Sequence, residues 1–114
     1  MKNKVEMFRE IVDDMANLYA KKNENYGDSF GETYQKLGPI SGITRLYDKL
    51  NRATSLVKGG DNHFESLEDT FLDMACYSIM NLIELRIKNE EAELLKAIEE
   101  SKKKSLGDSD EASL

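Results

Sequence analysis

Glu65-Ser-Leu-Glu-Asp-Thr-Phe-Leu-Asp-Met-Ala-Cys-Tyr-Ser-Ile-Met-Asn-Leu-Ile-Glu-Leu-Arg-Ile87 is the stretch whose reading decides the fold. Just upstream, Asn62 is placed to cap a helix, and Glu65 three residues later can reach back to it. No Gly or Pro follows until Gly107. Apolar side chains fall on almost every side of this helix, at Leu67, Phe71, Leu72, Met74, Ala75, Ile79, Met80, Leu82, Ile83, Leu85 and Ile87. A helix apolar all round expects burial. One strip breaks the pattern: Glu65, Asp69 and Asp73 stand at i, i+4 and i+8, with Tyr77 next in line and Glu68 beside them.

Like charges at that spacing repel by roughly 0.2–0.5 kcal/mol per exposed pair. Desolvation adds several kcal/mol for each carboxylate that is drawn out of water. A Mg²⁺ or Mn²⁺ ion offsets both, because such hard cations prefer oxygen ligands. On this reading Glu65, Glu68, Asp69 and Asp73 are candidate ligands. The other reading makes the strip the wet edge of an amphipathic helix.

The chain has 114 residues, which suits one domain with a modest core. No apolar run is long enough to span a membrane, and no signal-peptide pattern is present. The single cysteine, Cys76, sits among apolar neighbours and reads as core packing rather than as a nucleophile. A reducing, cytoplasmic setting is expected. The net charge of −6 disfavours duplex nucleic acid, because phosphate contacts require a positive face.

Earlier in the chain, Val5, Phe8, Ile11, Val12, Met15, Leu18 and Tyr19 trace one apolar stripe, predicting a first helix over 4–22. Glu10, Asp13 and Asp14 lie off that stripe and read as a solvated face. Residues 23–39 form a connection broken by Gly27, Gly31, Gly38 and Pro39, with room for a short helix at 29–36. Ordered connections of this length usually carry function. Its Tyr26, Phe30 and Tyr34 can stack on a base or plug helix ends, while Glu24 and Asp28 can meet a metal or a ribose hydroxyl.

A second helix is predicted over 40–58 on the stripe Ile43, Leu46, Tyr47, Leu50, Ala53 and Val57. Opposite it, Arg45, Asp48, Lys49 and Arg52 share a strip that is either a salt-bridged ladder or a phosphate cradle. A turn at 58–63 contains the only histidine, His63, which reads as a turn residue. The third helix is predicted over 63–103. Its extension from 88 to 104 is charged, with Leu94, Leu95 and Ile98 as its sizeable apolar side chains. So thin a stripe suits contact with another subunit. Residues 105–114 read as a disordered acidic tail. The expected fold is therefore all-α: a small antiparallel helical bundle, residues 1–104, completed by oligomerisation into a dimer or larger assembly.

Three blocks then carry a resemblance over residues 18–86: Asn23-Glu-Asn-Tyr-Gly-Asp-Ser-Phe30, Arg45-Leu-Tyr-Asp-Lys-Leu-Asn-Arg52, and Glu65 through Tyr77. Together they resemble the nucleotide modification associated domain family, small proteins common in phages and prophages. That family looks like a relative of the MazG-type all-α nucleoside triphosphate pyrophosphohydrolases, which bind Mg²⁺ through acidic pairs on two neighbouring helices. The resemblance implies a MazG-like bundle and a nucleotide ligand flanked by Tyr26, Phe30 and Tyr77, with Asp28 at its side. It places the phosphates on Arg45, Lys49 and Arg52. It also implies a metal held by Asp69 and Asp73, the catalytic pair, with Glu65, Glu68 and Asp48. The chain departs from the pattern on its second helix, where Arg45-x-x-Asp48 replaces an expected pair of glutamates. Two functions follow: Mg²⁺-dependent hydrolysis of a nucleoside triphosphate, or a module that sequesters a nucleotide or a nucleotide-derived immune signal without turnover.

Overall fold

A helix begins wherever the chain can satisfy its first free amides, and here three different devices do so. The computed structural model describes residues 1–59 and 64–112. At the first start, the Asn3 side chain accepts a hydrogen bond from the Glu6 amide at 2.9 Å and donates to the Glu6 carboxylate at 3.2 Å. This reciprocal cap opens α1, Lys4–Tyr26. At the second, Asp28 accepts from the Gly31 amide at 3.0 Å and opens α2, Ser29–Leu37. At the third, Pro39 supplies the fixed φ of a first turn and opens α3, Pro39–Lys58. The fourth element is α4, Phe64–Ala112.

Two glycines with positive φ terminate α1 and α2: Gly27 at 71° and Gly38 at 81°. A side chain at such a φ is strained, so glycine supplies the turn at no steric cost. The first helix consequently runs to Tyr26 rather than the expected 22, because Asn23–Tyr26 holds no breaker and Gly27 does. The long connection shrinks accordingly, and most of it is α2.

Helix α4 also overruns its expected end near 103. It continues to Ala112, into the segment read as a disordered tail, since neither proline nor a positive φ interrupts it. The expected turn at 58–63, with the Asn62 cap and the His63 reading, falls on residues 60–63 and lies outside the described residues. No strand occurs among the described residues, and the all-α expectation holds.

Two compact units divide the chain: Met1–Asn81, and a second that begins at Leu82. In the first unit, Asn81 donates to the Gly42 carbonyl at 3.3 Å, and Lys49 meets Asp73 at 2.8 Å. Numbers rise along α3 as they fall along α4, so these two helices are antiparallel. Helix α2 packs on α3, and its Phe30 ring also lies 6.0 Å from Tyr77 of α4. The second unit is the distal part of α4. Its Leu94, Leu95 and Ile98 are exposed.

The hydrophobic core of the single chain is small: Met15, Tyr34 and Ala53 are its buried apolar residues among those described. The expectation that the 65–87 helix is buried all round is not met. Phe71 is 56 % exposed and Leu85 is 52 % exposed. One layer of neighbouring helices covers one face of α4 and cannot cover the others. No described helix is long and apolar enough to cross a membrane.

Candidate functional site

The last turns of α1, the Gly27 turn, the start of α2 and the facing sides of α3 and α4 enclose a pocket of about 320 Å³. That volume is at the small end for ligand sites. Its position follows from the glycine break. Gly27 turns the chain just after Tyr26, and Asp28, Ser29 and Phe30 share one lining with the end of α1.

Aromatic side chains form one wall. Phe30 stacks on Tyr77 with ring centroids 6.0 Å apart and planes 28° from parallel, and a second contact ties Phe30 to the buried Tyr34 at 6.3 Å. Such offset pairs fix the orientation of both rings. Tyr26, 80 % exposed, stands at the rim with its face free. Lys22 and Arg45 bring positive charge to the lining, and neither makes an ion pair or hydrogen bond among the described residues. Asp14 and Asn23 add polar groups.

Cys76 lines the pocket and is partly buried. Burial pushes its thiol pKa up, the nearby Asp73 carboxylate adds to the rise, and Lys22 opposes it. The thiol is therefore protonated at neutral pH and is a packing group rather than a nucleophile. Asp73, Lys22 and Cys76 all line the same pocket.

Of the residues singled out in the sequence, Tyr26, Asp28, Phe30, Arg45, Asp73 and Tyr77 meet in this lining. Asp28 has a structural duty there as well, since its carboxylate caps α2. That carboxylate also occupies the helix N-terminus, where an anion would otherwise be favoured. Lys49 and Arg52 are not in the lining. Lys49 is held by Asp73 instead, in a partly exposed ion pair. Asp48, Glu65 and Asp69 are exposed and outside the pocket, as is Glu24. Glu68 borders a separate apolar groove with Ile11, Phe64, Leu67 and Phe71.

The implied divalent cation can be tested against this donor set. No group of three or more His, Cys, Asp or Glu among the described residues is arranged to hold a metal. Asp73 is the one acid of the α4 strip that reaches the pocket, and its Oδ2 is already 2.8 Å from the Lys49 ammonium. A cation there meets a like charge. The residues as arranged do not fit the ion.

The lining also holds Asp14, expected on a solvated face, Tyr19, expected in the apolar stripe of α1, and Lys22 and Asn23, for which the sequence suggested no site role. A signal for three of them exists: Tyr19, Lys22, Asn23 and Tyr26 fall at i, i+3, i+4 and i+7, one continuous helix face. It becomes visible only once α1 is carried through to Tyr26.

Comparison with known proteins adds one finding. A family profile described as nucleotide modification associated domain 1 matches residues 22–85. No curated protein and no solved structure matches the chain. The matched span begins at Lys22 and takes in the Gly27 turn, α2, α3 and the α4 residues that line the pocket.

Proposed function

Because the chain belongs to the nucleotide modification associated domain 1 family, we propose that its pocket binds a nucleotide. The observation that carries this reading is one lining that joins the Phe30–Tyr77 stack to two cations, Lys22 and Arg45, that make no ion pair among the described residues. A stacked aromatic wall offers a π-face to any base. Arg and Lys hold phosphate oxygens, the guanidinium by a two-pronged fork. The pocket volume of about 320 Å³ suits a single nucleotide better than a dinucleotide.

The donor arrangement favours binding without turnover, in which the protein sequesters a nucleotide or a nucleotide-derived signal. Mg²⁺-dependent pyrophosphohydrolysis is the second reading, supported by the spacing of Glu65, Asp69 and Asp73 and by the MazG-like pattern. One incubation decides between them. The protein is mixed with a nucleotide panel and Mg²⁺, then scored for retained ligand and for cleavage products. Retention of intact nucleotide is the expected result. Pyrophosphate release would establish the hydrolase instead, and neither outcome on any nucleotide would dismiss both.

The working form is a self-associated one, a dimer or larger. Exposed apolar residues on α1 (Val5, Phe8, Ile11) and along α4 (Phe71, Ile79, Leu82) make too much greasy surface for a soluble monomer. Light scattering at micromolar concentration should give at least twice the chain mass of 13.0 kDa. A mass of one chain would refute this.

A further inference from the structure

The family resemblance brings a metal ion with it, and the side chains disagree with that ion. Mg²⁺ demands near-octahedral oxygen ligation, and in nucleotide sites it takes one or two carboxylates plus phosphate oxygens. The pocket offers Asp73, Asp28 and Asp14. Asp73 is neutralised by Lys49 at 2.8 Å, and Asp28 is spent on the Gly31 amide at 3.0 Å. The remaining strip acids, Glu65 and Asp69, do not line the pocket. What the pocket also holds is two side-chain cations, Lys22 from α1 and Arg45 from α3, that make no ion pair or hydrogen bond among the described residues.

We propose that the pocket holds the phosphate of its nucleotide directly on Lys22 and Arg45, with no divalent cation between. Lys49 serves this arrangement from outside. By covering Asp73 it removes a negative charge that would repel the phosphate. Cys76, flanked by Asp73 and Lys22, is neutral and adds no second anion. Asp14 is left as the acceptor available to a donor on the base, such as an exocyclic amino group. Lys22 is thus a phosphate-binding residue, and the anion bridges α1 to α3.

This inference rests on the nucleotide reading, and the experiment separates the two. The four ribonucleoside triphosphates and their 5′-monophosphates are titrated calorimetrically into the full chain, once in EDTA and once in Mg²⁺. The best ligand is expected to bind in EDTA, within about threefold of its affinity in Mg²⁺. Lys22→Ala and Arg45→Ala should each weaken it about tenfold or more in EDTA, the consequence of losing one charge-assisted contact. Arg45→Lys should recover only part, because a point charge does not replace a fork. Both side chains are exposed, so unchanged thermal melts are expected to show that the variants fold. Binding that requires Mg²⁺ would overturn the inference and leave the nucleotide reading standing. So would EDTA binding indifferent to both alanine variants. No binding of any nucleotide in either buffer would overturn both.

Discussion

Tyr34→Ala is expected to cost about 3–5 kcal/mol of folding stability, the range for removing a fully buried aromatic. Tyr34 is 1 % exposed and is the largest fully buried side chain of the described residues. It lies on α2, a helix of 9 residues, too short to persist in water without tertiary support. Its ring also backs Phe30, which in turn backs Tyr77. The substitution therefore opens a cavity and releases the aromatic wall of the pocket. Since whole domains are stable by only about 5–15 kcal/mol, urea unfolding should show a large loss or no folded baseline. Tyr26→Ala, at a ring 80 % exposed, is the matched control and should move stability by less than about 0.5 kcal/mol. Similar losses in the two variants would mean that α2 is not anchored by Tyr34.

Gly42→Leu is the second large effect, at about 2–3 kcal/mol. A β-carbon at position 42 would collide with the Asn81 side-chain amide. That amide cannot simply swing aside, because its nitrogen donates to the Tyr77 carbonyl at 2.8 Å and to the Gly42 carbonyl at 3.3 Å. Leucine gains about 1 kcal/mol of helix propensity over glycine and loses more by forcing α3 from α4. The collision has a named partner, which allows a sharp check. Asn81→Ala alone should cost about 1 kcal/mol for its lost hydrogen bonds. Adding Gly42→Leu to Asn81→Ala should then cost well under the single-variant loss, a coupling of about 0.5–3 kcal/mol. Strict additivity in chemical denaturation would show that Asn81 is not what holds position 42 to glycine.

Much of the fold was legible locally because its punctuation is chemical. Gly38 and Pro39 break the chain where the sequence was expected to break, whereas α1 runs past the expected 22 to Gly27 and Asp28 caps α2 rather than only facing a ligand. Helix identity followed from apolar stripes at Val5–Tyr19 and Ile43–Val57. Burial was not legible, since a stripe records what a helix offers and not whether one chain has enough neighbours to cover it. Phe71 and Leu85 show the difference.

The site divides along the same line. Tyr26, Asp28 and Phe30 announced themselves by lying together beside a glycine. The acidic strip of α4 announced itself by spacing. Which of its members would reach the pocket depended on the rotation of α4 against α3, and spacing within one helix contains no information on that angle. Asp73 turned inward to Lys49, while Asp69 stayed outside. Lys22 was hidden for another reason. It is the last residue of the expected first helix, one turn beyond the end of the apolar stripe, and a single lysine at a helix end carries no pattern that marks a pocket.

The two turns that bracket α2 also make the chain sensitive to handedness rather than to size. Nothing lies within 4 Å of where an L β-carbon would sit on Gly27 or Gly38, so an L side chain there is opposed by backbone conformation and not by crowding. Both residues have positive φ with ψ near the extended limit, 71° and −165° at Gly27 and 81° and −172° at Gly38. These are mirror images of the polyproline-II conformation that L residues adopt readily. An L-alanine is strained at either position, whereas a D-alanine falls into its own preferred basin while losing some freedom in the unfolded chain. A chemically assembled protein carrying D-alanine at both turns would thus be more stable than the natural one, by about 0.4–1 kcal/mol per site. Both hinges of the pocket-bearing helix would be locked by stereochemistry alone.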